Sequence, residues 1–197
     1  YTLRSHGSPA HAGLEPEKGV NAVSEIARQI EFIHAIARPE QGTTVNVCTI
    51  SGGTTSNVIP EYAECEIDVR FTTMSEAERV DRSLRSLKPV DGRVKLEILG
   101  AINRPPLERT PQVAALFEKA RSIAASYDYE IDEVQVGGAS DGNFVAALGV
   151  PIMDGLGLAG AGVGLLFGAY WVFPHFAKRI DTFLNPEGGG NTYQVDK

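Results

Sequence analysis

The chain has 197 residues, 43% hydrophobic and 22% charged, the balance of a globular protein of one or two domains and not of a disordered one. Its net charge of −7 lies wholly in the first 154 residues, because residues 155–197 hold three basic and three acidic groups. No basic stripe exists to displace phosphate counterions, which excludes a nucleic-acid partner. Cys48 and Cys65 fit no metal or redox spacing and read as buried strand thiols. That usage fits a reducing, cytoplasmic setting. A chain that opens at Tyr1 in strand-like sequence is expected to be a fragment, with any targeting segment outside it.

"YTLRSHG" alternates like a short strand and runs into a loop, "SPAHAGLEPEKG". Val23, Ile26, Ala27, Ile30, Ile33 and Ala37 recur at helical spacing and predict an amphipathic helix over about 20–37, with those residues inward. The β-branched run "TTVNVCTI" predicts a strand, and "SGGTTSNVIPE" a turn punctuated by glycine and proline. In the next strand Ala63, Cys65, Ile67, Val69 and Phe71 alternate with Glu64, Glu66, Asp68 and Arg70, so one face is core and the other wet or functional. Ser75 and Glu78 fit a capping box opening a helix whose inner face is Val80, Leu84 and Leu87. Val94, Leu96 and Ile98 alternate in a strand ending at Gly100. The order predicts an α+β fold, a split ferredoxin-like β-α-β-β-α-β pattern over about 1–100.

The register changes at "NRPPLERTP". Thr110 as N-cap and Pro111 in the first turn predict a helix with Val113, Leu116, Phe117, Ala120 and Ile123 inward. "EIDEVQV" predicts a strand, "GGASDGNFVAAL" a glycine loop opening a helix that could seat an anion, and "GVPIMDGL" a buried strand. This is α/β-type sequence, too short for a domain of its own. From Gly155 through Ala177 runs an uncharged segment of 23 residues, against the roughly 20 that a bilayer crossing needs. Gly160, Gly164 and Gly168 form a small-residue ladder suited to helix packing in lipid, with Tyr170 and Trp171 suited to an interface.

Three residues offer chemistry. His11 lies in a loop bordered by glycine and proline, Asn57 in a tight turn, and Arg70 on the polar face of the strand after that turn. An imidazole, an amide and a guanidinium suit an oxyanion and a substrate carboxylate. Spacing alone equally allows a surface histidine, a turn-forming asparagine and an arginine paired with Glu66 or Asp68.

"GSPAHAGLEPEKGVNAV", "GGTTSNVIPEYAECEIDVRF" and "GGASDGNFVAALGVPIMDGLG" resemble, in that order, blocks of the M20 family of zinc metallohydrolases. The carboxypeptidase G2-like glutamate carboxypeptidases are the nearest branch, ahead of the acetylornithine and succinyl-diaminopimelate deacylases. The resemblance covers about 1–158. It implies a ferredoxin-like dimerisation (lid) domain over 1–104 and an incomplete C-terminal part of the catalytic domain over 105–158. It also implies a homodimer through the lid, two zinc ions, and hydrolysis of the amide bond of an N-acyl amino acid or small peptide. By the same resemblance His11 reaches the active site of the partner and polarises the scissile carbonyl. Asn57 and Arg70 bind substrate, Arg70 at the terminal carboxylate, and Arg104, Gly138 and Ser140 lie beside it.

The family's zinc ligands include a His-x-Asp pair and a Glu-Glu pair, and this sequence has neither. They are expected before Tyr1, and "AGAGVGLLFG" stands where the last ligand histidine should follow. The fragment alone is therefore expected to hold no metal and to be inactive. A non-catalytic dimerisation or binding module is the alternative.

Beyond about 160, "GLLFGAYWVFPHFAKRIDTFLNPEGGGNTYQVDK" resembles instead the SEDS family of cell-division membrane glycan polymerases. That resemblance implies a foreign, membrane-helix-like segment over 159–197 and a chimera joined between about 154 and 164. A piece of a membrane cell-wall polymerase is the reading for which this tail alone speaks.

Overall fold

A computed structural model of the chain describes residues 1–138 and 140–155. Its described residues divide into two units, Tyr1–Thr110 with Val134–Ile152, and Pro111–Glu133 with Met153–Gly155.

The first unit is built on an antiparallel sheet of β1 (Thr2–His6), β3 (Thr44–Gly52), β5 (Tyr62–Arg70) and β6 (Lys95–Leu99), in the order β3-β5-β1-β6. A separate two-stranded ribbon pairs β2 (Ala10–His11) with β4 (Val58–Ile59). Helix α1 (Ala22–His34) follows the first sheet strand and α2 (Met74–Arg85) the third. The order of the sheet strands and helices is the split β-α-β pattern that the hydrophobic periodicities predict.

The core lies on one face of the sheet. Leu3, Ala63, Cys65 and Ile67 point from the strands toward Ile26 and Ile33 of α1 and Val80 and Leu84 of α2, all at 3% exposure or less. The other face is wet, and its charges pair across strands: Arg4 donates to Glu64 at 3.1 Å, and His6 lies 3.6 Å from Glu97.

Helix α1 is rotated from the expected face. Ala27 is exposed, while Glu25 and Gln29 are buried. The reason is hydrogen bonding. The Glu25 carboxylate accepts from the backbone N–H of Val90 (2.8 Å) and Asp91 (3.1 Å) and from Gln29 Nε2 (2.8 Å), so a buried charge is satisfied by the loop after α2.

Helix α2 begins earlier than the Ser75–Glu78 box implies. Its N-cap is Thr73, whose hydroxyl accepts from Glu76 N–H at 3.4 Å, and Glu108 accepts from Met74 N–H at 2.7 Å. The earlier start turns Glu76 inward, where it meets Thr43 and Arg79.

Cys48 is a further correction. Cys65 is buried, but Cys48 is exposed at a break in register between Val47 and Thr49 on β3, an outer strand of the sheet. Val45 and Val47 take the core face of β3, so alternation puts Cys48 on the outer face with Thr44 and Asn46, and the bulge leaves it without a cross-strand partner.

In the second unit α3 (Pro111–Ala125) starts at the expected proline. Phe117 is its buried residue, and Val113, Ala120 and Ala124 on the same face are half-buried. Ile123 lies off that face and is 54% exposed. Among the described residues "EIDEVQV" and residues 149–155 of "GVPIMDGL", both expected as strands, have no ladder partner, and Val134 and Val136 are exposed. A strand exists only where a neighbour takes its backbone hydrogen bonds, which a β-rich composition cannot supply. In the first unit the glycine loop opens a short helix, α4 (Gly142–Ala147).

No helix among the described residues is long and apolar enough to cross a membrane. The expected membrane-helix-like tail over 159–197 lies outside the described residues.

Candidate functional site

His11 and Asn57 sit on the small ribbon. His11 is directly opposite Val58, and Ala12 N–H donates to Asn57 O at 2.9 Å, so backbone pairing fixes the two residues beside each other. The approach is tight at Gly7, where a Cβ would come within 2.0 Å of Val20 O. Gly7 is the hinge between β1 and the ribbon, and any side chain there would displace the Ser8–Val20 bridge.

The His11 ring has a defined polarity. Gly13 N–H donates to Nδ1 at 3.1 Å, so in the neutral ring the proton resides on Nε2. The exposed His11 thus presents an N–H donor. The Asn57 carbonyl oxygen Oδ1 accepts from Thr55 Oγ1 at 3.2 Å, which leaves its NH₂ as a second donor. Both donors suit an oxygen on which negative charge develops.

Arg70 ends β5. Its Nε donates to Asp68 at 2.8 Å and its Nη1 to Gly137 O at 3.2 Å. The Asp68 hydrogen bond, reinforced by its charge, raises the pKa of the guanidinium above its ordinary value. A guanidinium has five N–H donors, and three remain after these two bonds. The ion pair with Asp68 is the bland outcome that the strand alternation allows, and it does not consume the group.

The remaining residues gather around the glycine loop. Arg104 places its guanidinium carbon 5.0 Å from the centre of the Phe144 ring and its Nη1 3.5 Å from Asp141. Ser140 accepts through Oγ from Gly142 N–H at 3.1 Å, and its own N–H donates to Asn143 Oδ1 at 3.2 Å. At the start of α4 the Gly142 N–H thus goes to the Ser140 hydroxyl, and the N–H groups of Asn143 and Phe144 to the carbonyls of Ser140 and Asp141. Gly138 is exposed. Sequence reasoning missed Asn143 and Phe144, because an asparagine and an aromatic in a glycine loop carry no periodic signal.

The six residues fall into two groups at opposite ends of the sheet. His6, where β1 stops before the ribbon, pairs with Tyr62 at the start of β5, and Arg70 is at its far end. Eight steps of about 3.3 Å separate those ends by about 26 Å. Among the described residues no three His, Cys, Asp or Glu side chains group to hold a metal ion. The described donors therefore do not fit a zinc centre.

Residues 1–87 match the family model described as the M20 peptidase dimerisation domain. Carboxypeptidase G2 of Pseudomonas sp. strain RS-16 is 27% identical over 162 residues, covering 79% of this chain and 38% of the relative. One of the p-aminobenzoyl-glutamate hydrolase chains of Escherichia coli K12 is 26% identical over 141 residues, covering 68% and 32%. The crystal structure of aminopeptidase PepT from Bacillus cereus shares the fold, with a TM-score of 0.60 at 22% identity over 76% of this chain and 41% of that one. The chain spans two fifths or less of the length of these curated relatives. The resemblance of the tail to membrane glycan polymerases finds no support among them. Residues 1–87 thus match an M20 peptidase dimerisation domain, and the chain is similar over most of its length to a carboxypeptidase and to a p-aminobenzoyl-glutamate hydrolase chain.

Proposed function

We propose that this chain is the dimerising, substrate-orienting portion of a zinc-dependent hydrolase that cleaves the amide bond of N-acyl amino acids or small peptides. The observation that carries the reading is the separation of the two groups on one sheet. An N-acyl amino acid does not span about 26 Å. His11 and Asn57 of one copy therefore serve a substrate held by Arg70 and Arg104 of another, and the dimer is the functional unit.

Within that unit the roles follow from the donors each residue has free. His11 Nε2–H donates to the scissile carbonyl oxygen, and the Asn57 NH₂ adds a second hydrogen bond as charge builds there. Arg70 takes the terminal carboxylate through its remaining N–H groups, with Asp68 and the Gly137 carbonyl orienting the guanidinium. Arg104, held by Phe144 and Asp141, adds positive potential beside the loop of Gly138 and Ser140. No step is assigned to a metal, since the described residues do not hold one.

The match of residues 1–87 to a dimerisation domain also supports a second reading, a dimerisation module without catalysis of its own. One experiment addresses both. The purified chain is analysed by sedimentation, by elemental analysis for zinc, and for hydrolysis of N-acyl amino acids with and without a chelator. A dimer with no stoichiometric zinc and no hydrolysis is expected. Hydrolysis abolished by the chelator would place the metal donors within this chain, and a monomer would remove the dimeric site.

A further inference from the structure

We infer that Asn143 is a positioning residue that fixes the Arg104 segment against Ser140 at the start of α4. The inference rests on the reading of the two arginines as substrate binders.

Asn143 is 7% exposed, and its amide is used at both ends. Nδ2–H donates to Pro105 O at 2.7 Å, and Oδ1 accepts from Ser140 N–H at 3.2 Å. A carbonyl only accepts and a backbone N–H only donates, so the amide has one orientation that satisfies both. The same short helix grips the neighbouring residue as well. Phe144 lies under the Arg104 guanidinium, and Asp141 lies 3.5 Å from it. On the other side of the loop, Gly137 O accepts from Arg70. Contacts therefore run from Ser140 across Asn143 to Pro105, the neighbour of Arg104 in the chain.

The segment that carries Arg104 has little internal means of holding its place. It has no regular secondary structure, and Pro105 and Pro106 have no N–H to donate. A side chain that bonds the Pro105 carbonyl supplies from outside what the segment lacks. No other side chain reaches both Pro105 and the glycine loop in the hydrogen bonds found among the described residues.

The test is Asn143→Asp in the full chain. Aspartate keeps the size and the acceptor for Ser140 N–H but cannot donate to Pro105 O when ionised. Three readouts are compared with the unaltered chain: amide hydrogen exchange over 103–108, the Arg104 side-chain N–H resonance under the Phe144 ring, and affinity for N-acetyl-L-glutamate by NMR titration. Protection of the β5 amides of Cys65 and Ile67 reports that the variant is folded. Asn143→Ala, which removes both bonds, is the second variant, and Asn143→Asp decides if the alanine does not fold.

Faster exchange over 103–108, a shifted Arg104 resonance and affinity lowered about tenfold, of the order of one hydrogen bond, are expected. Unchanged exchange and an unmoved Arg104 resonance overturn the inference whether or not the probe binds. Loosened exchange with unchanged affinity also overturns it, reducing Asn143 to a structural role. An unaltered chain that binds no N-acetyl-L-glutamate instead defeats the substrate-binding reading, and the first two readouts still decide whether Asn143 is the clamp.

Discussion

Cys48 and Cys65 have similar sequence surroundings and opposite fates. Burial pushes the Cys65 thiol up to about 11, which suppresses the reactive thiolate at neutral pH, while Cys48 stands exposed on its bulge. A native chain mixed with a disulfide reagent should therefore release one equivalent of thiol quickly, and the second only in denaturant. Cys48→Ser should abolish the fast phase and Cys65→Ser should leave it intact. Glu76 supplies a residue-scale pH dependence. Its hydrogen bonds with Arg79 come first and its bond from Thr43 second in holding the carboxyl at about 2, against an ordinary 4.5. A carboxyl with a lowered pKa in the folded state contributes stability that is complete above the ordinary value and is lost as pH falls toward the lowered one. Urea midpoints should fall between about pH 4.5 and about pH 2, and Glu76→Gln should make that fall shallower. An unaltered slope would mean that the Arg79 and Thr43 contacts do not persist in solution. What the sequence makes legible at this scale is residue type; His11, Asn57 and Arg70 stand out as donors in turns and on a wet face. Of their hydrogen-bond partners Asp68 stands out with them, but Gly13 and Gly137 do not, because they contribute only backbone atoms, which no residue pattern encodes.

Elements with a strong period were legible, and those without one were not. The alternation of β5 and the spacing in α1 and α2 fall on the elements observed, since burial on one face is what a period records. The ribbon of β2 and β4 was hidden inside a loop and a turn, because two residues per strand are too few for alternation to register. It nevertheless brings His11 beside Asn57. The strands expected from "EIDEVQV" and "GVPIMDGL" failed for the converse reason, a strand-like composition with no neighbour to pair with. Helix α1 shows how a polar interaction shifts a face. Glu25 and Gln29 are four residues apart, so they share one side, and the amides of Val90 and Asp91 complete the acceptor set of Glu25. Glu25→Ala should strip the acceptor from two backbone N–H groups and the Gln29 amide and lower stability by about 3 kcal/mol. Equilibrium denaturation measures it, with Glu25→Gln intermediate because one oxygen still accepts. A loss no larger than that of an exposed glutamate would show that water substitutes for the carboxylate.

At the scale of the whole molecule, the length of β5 keeps His11 from Arg70, so the proposed site needs a second copy to bring the two kinds of donor to one substrate. This makes the proposed site testable by mixing. In the proposed hydrolase, His11→Ala should mainly lower turnover, because the donor to the carbonyl acts as charge develops. Arg70→Ala should mainly raise KM, because a terminal carboxylate is bound alike in ground and transition states. When the two homodimers, both nearly inactive at substrate far below the raised KM, are dissociated and reassociated together, about half the dimers are mixed. Each mixed dimer has one site carrying both lesions and one that takes His11 from the Arg70→Ala copy and Arg70 from the His11→Ala copy. Activity should return to about a quarter of that of the unaltered enzyme, with its KM, because the restored sites are native. If both residues instead served the site of their own copy, every site in the mixture would carry one lesion and no activity would return. The separation along one strand and the recovery on mixing are thus two expressions of the same geometry, and the second can fail independently of the first.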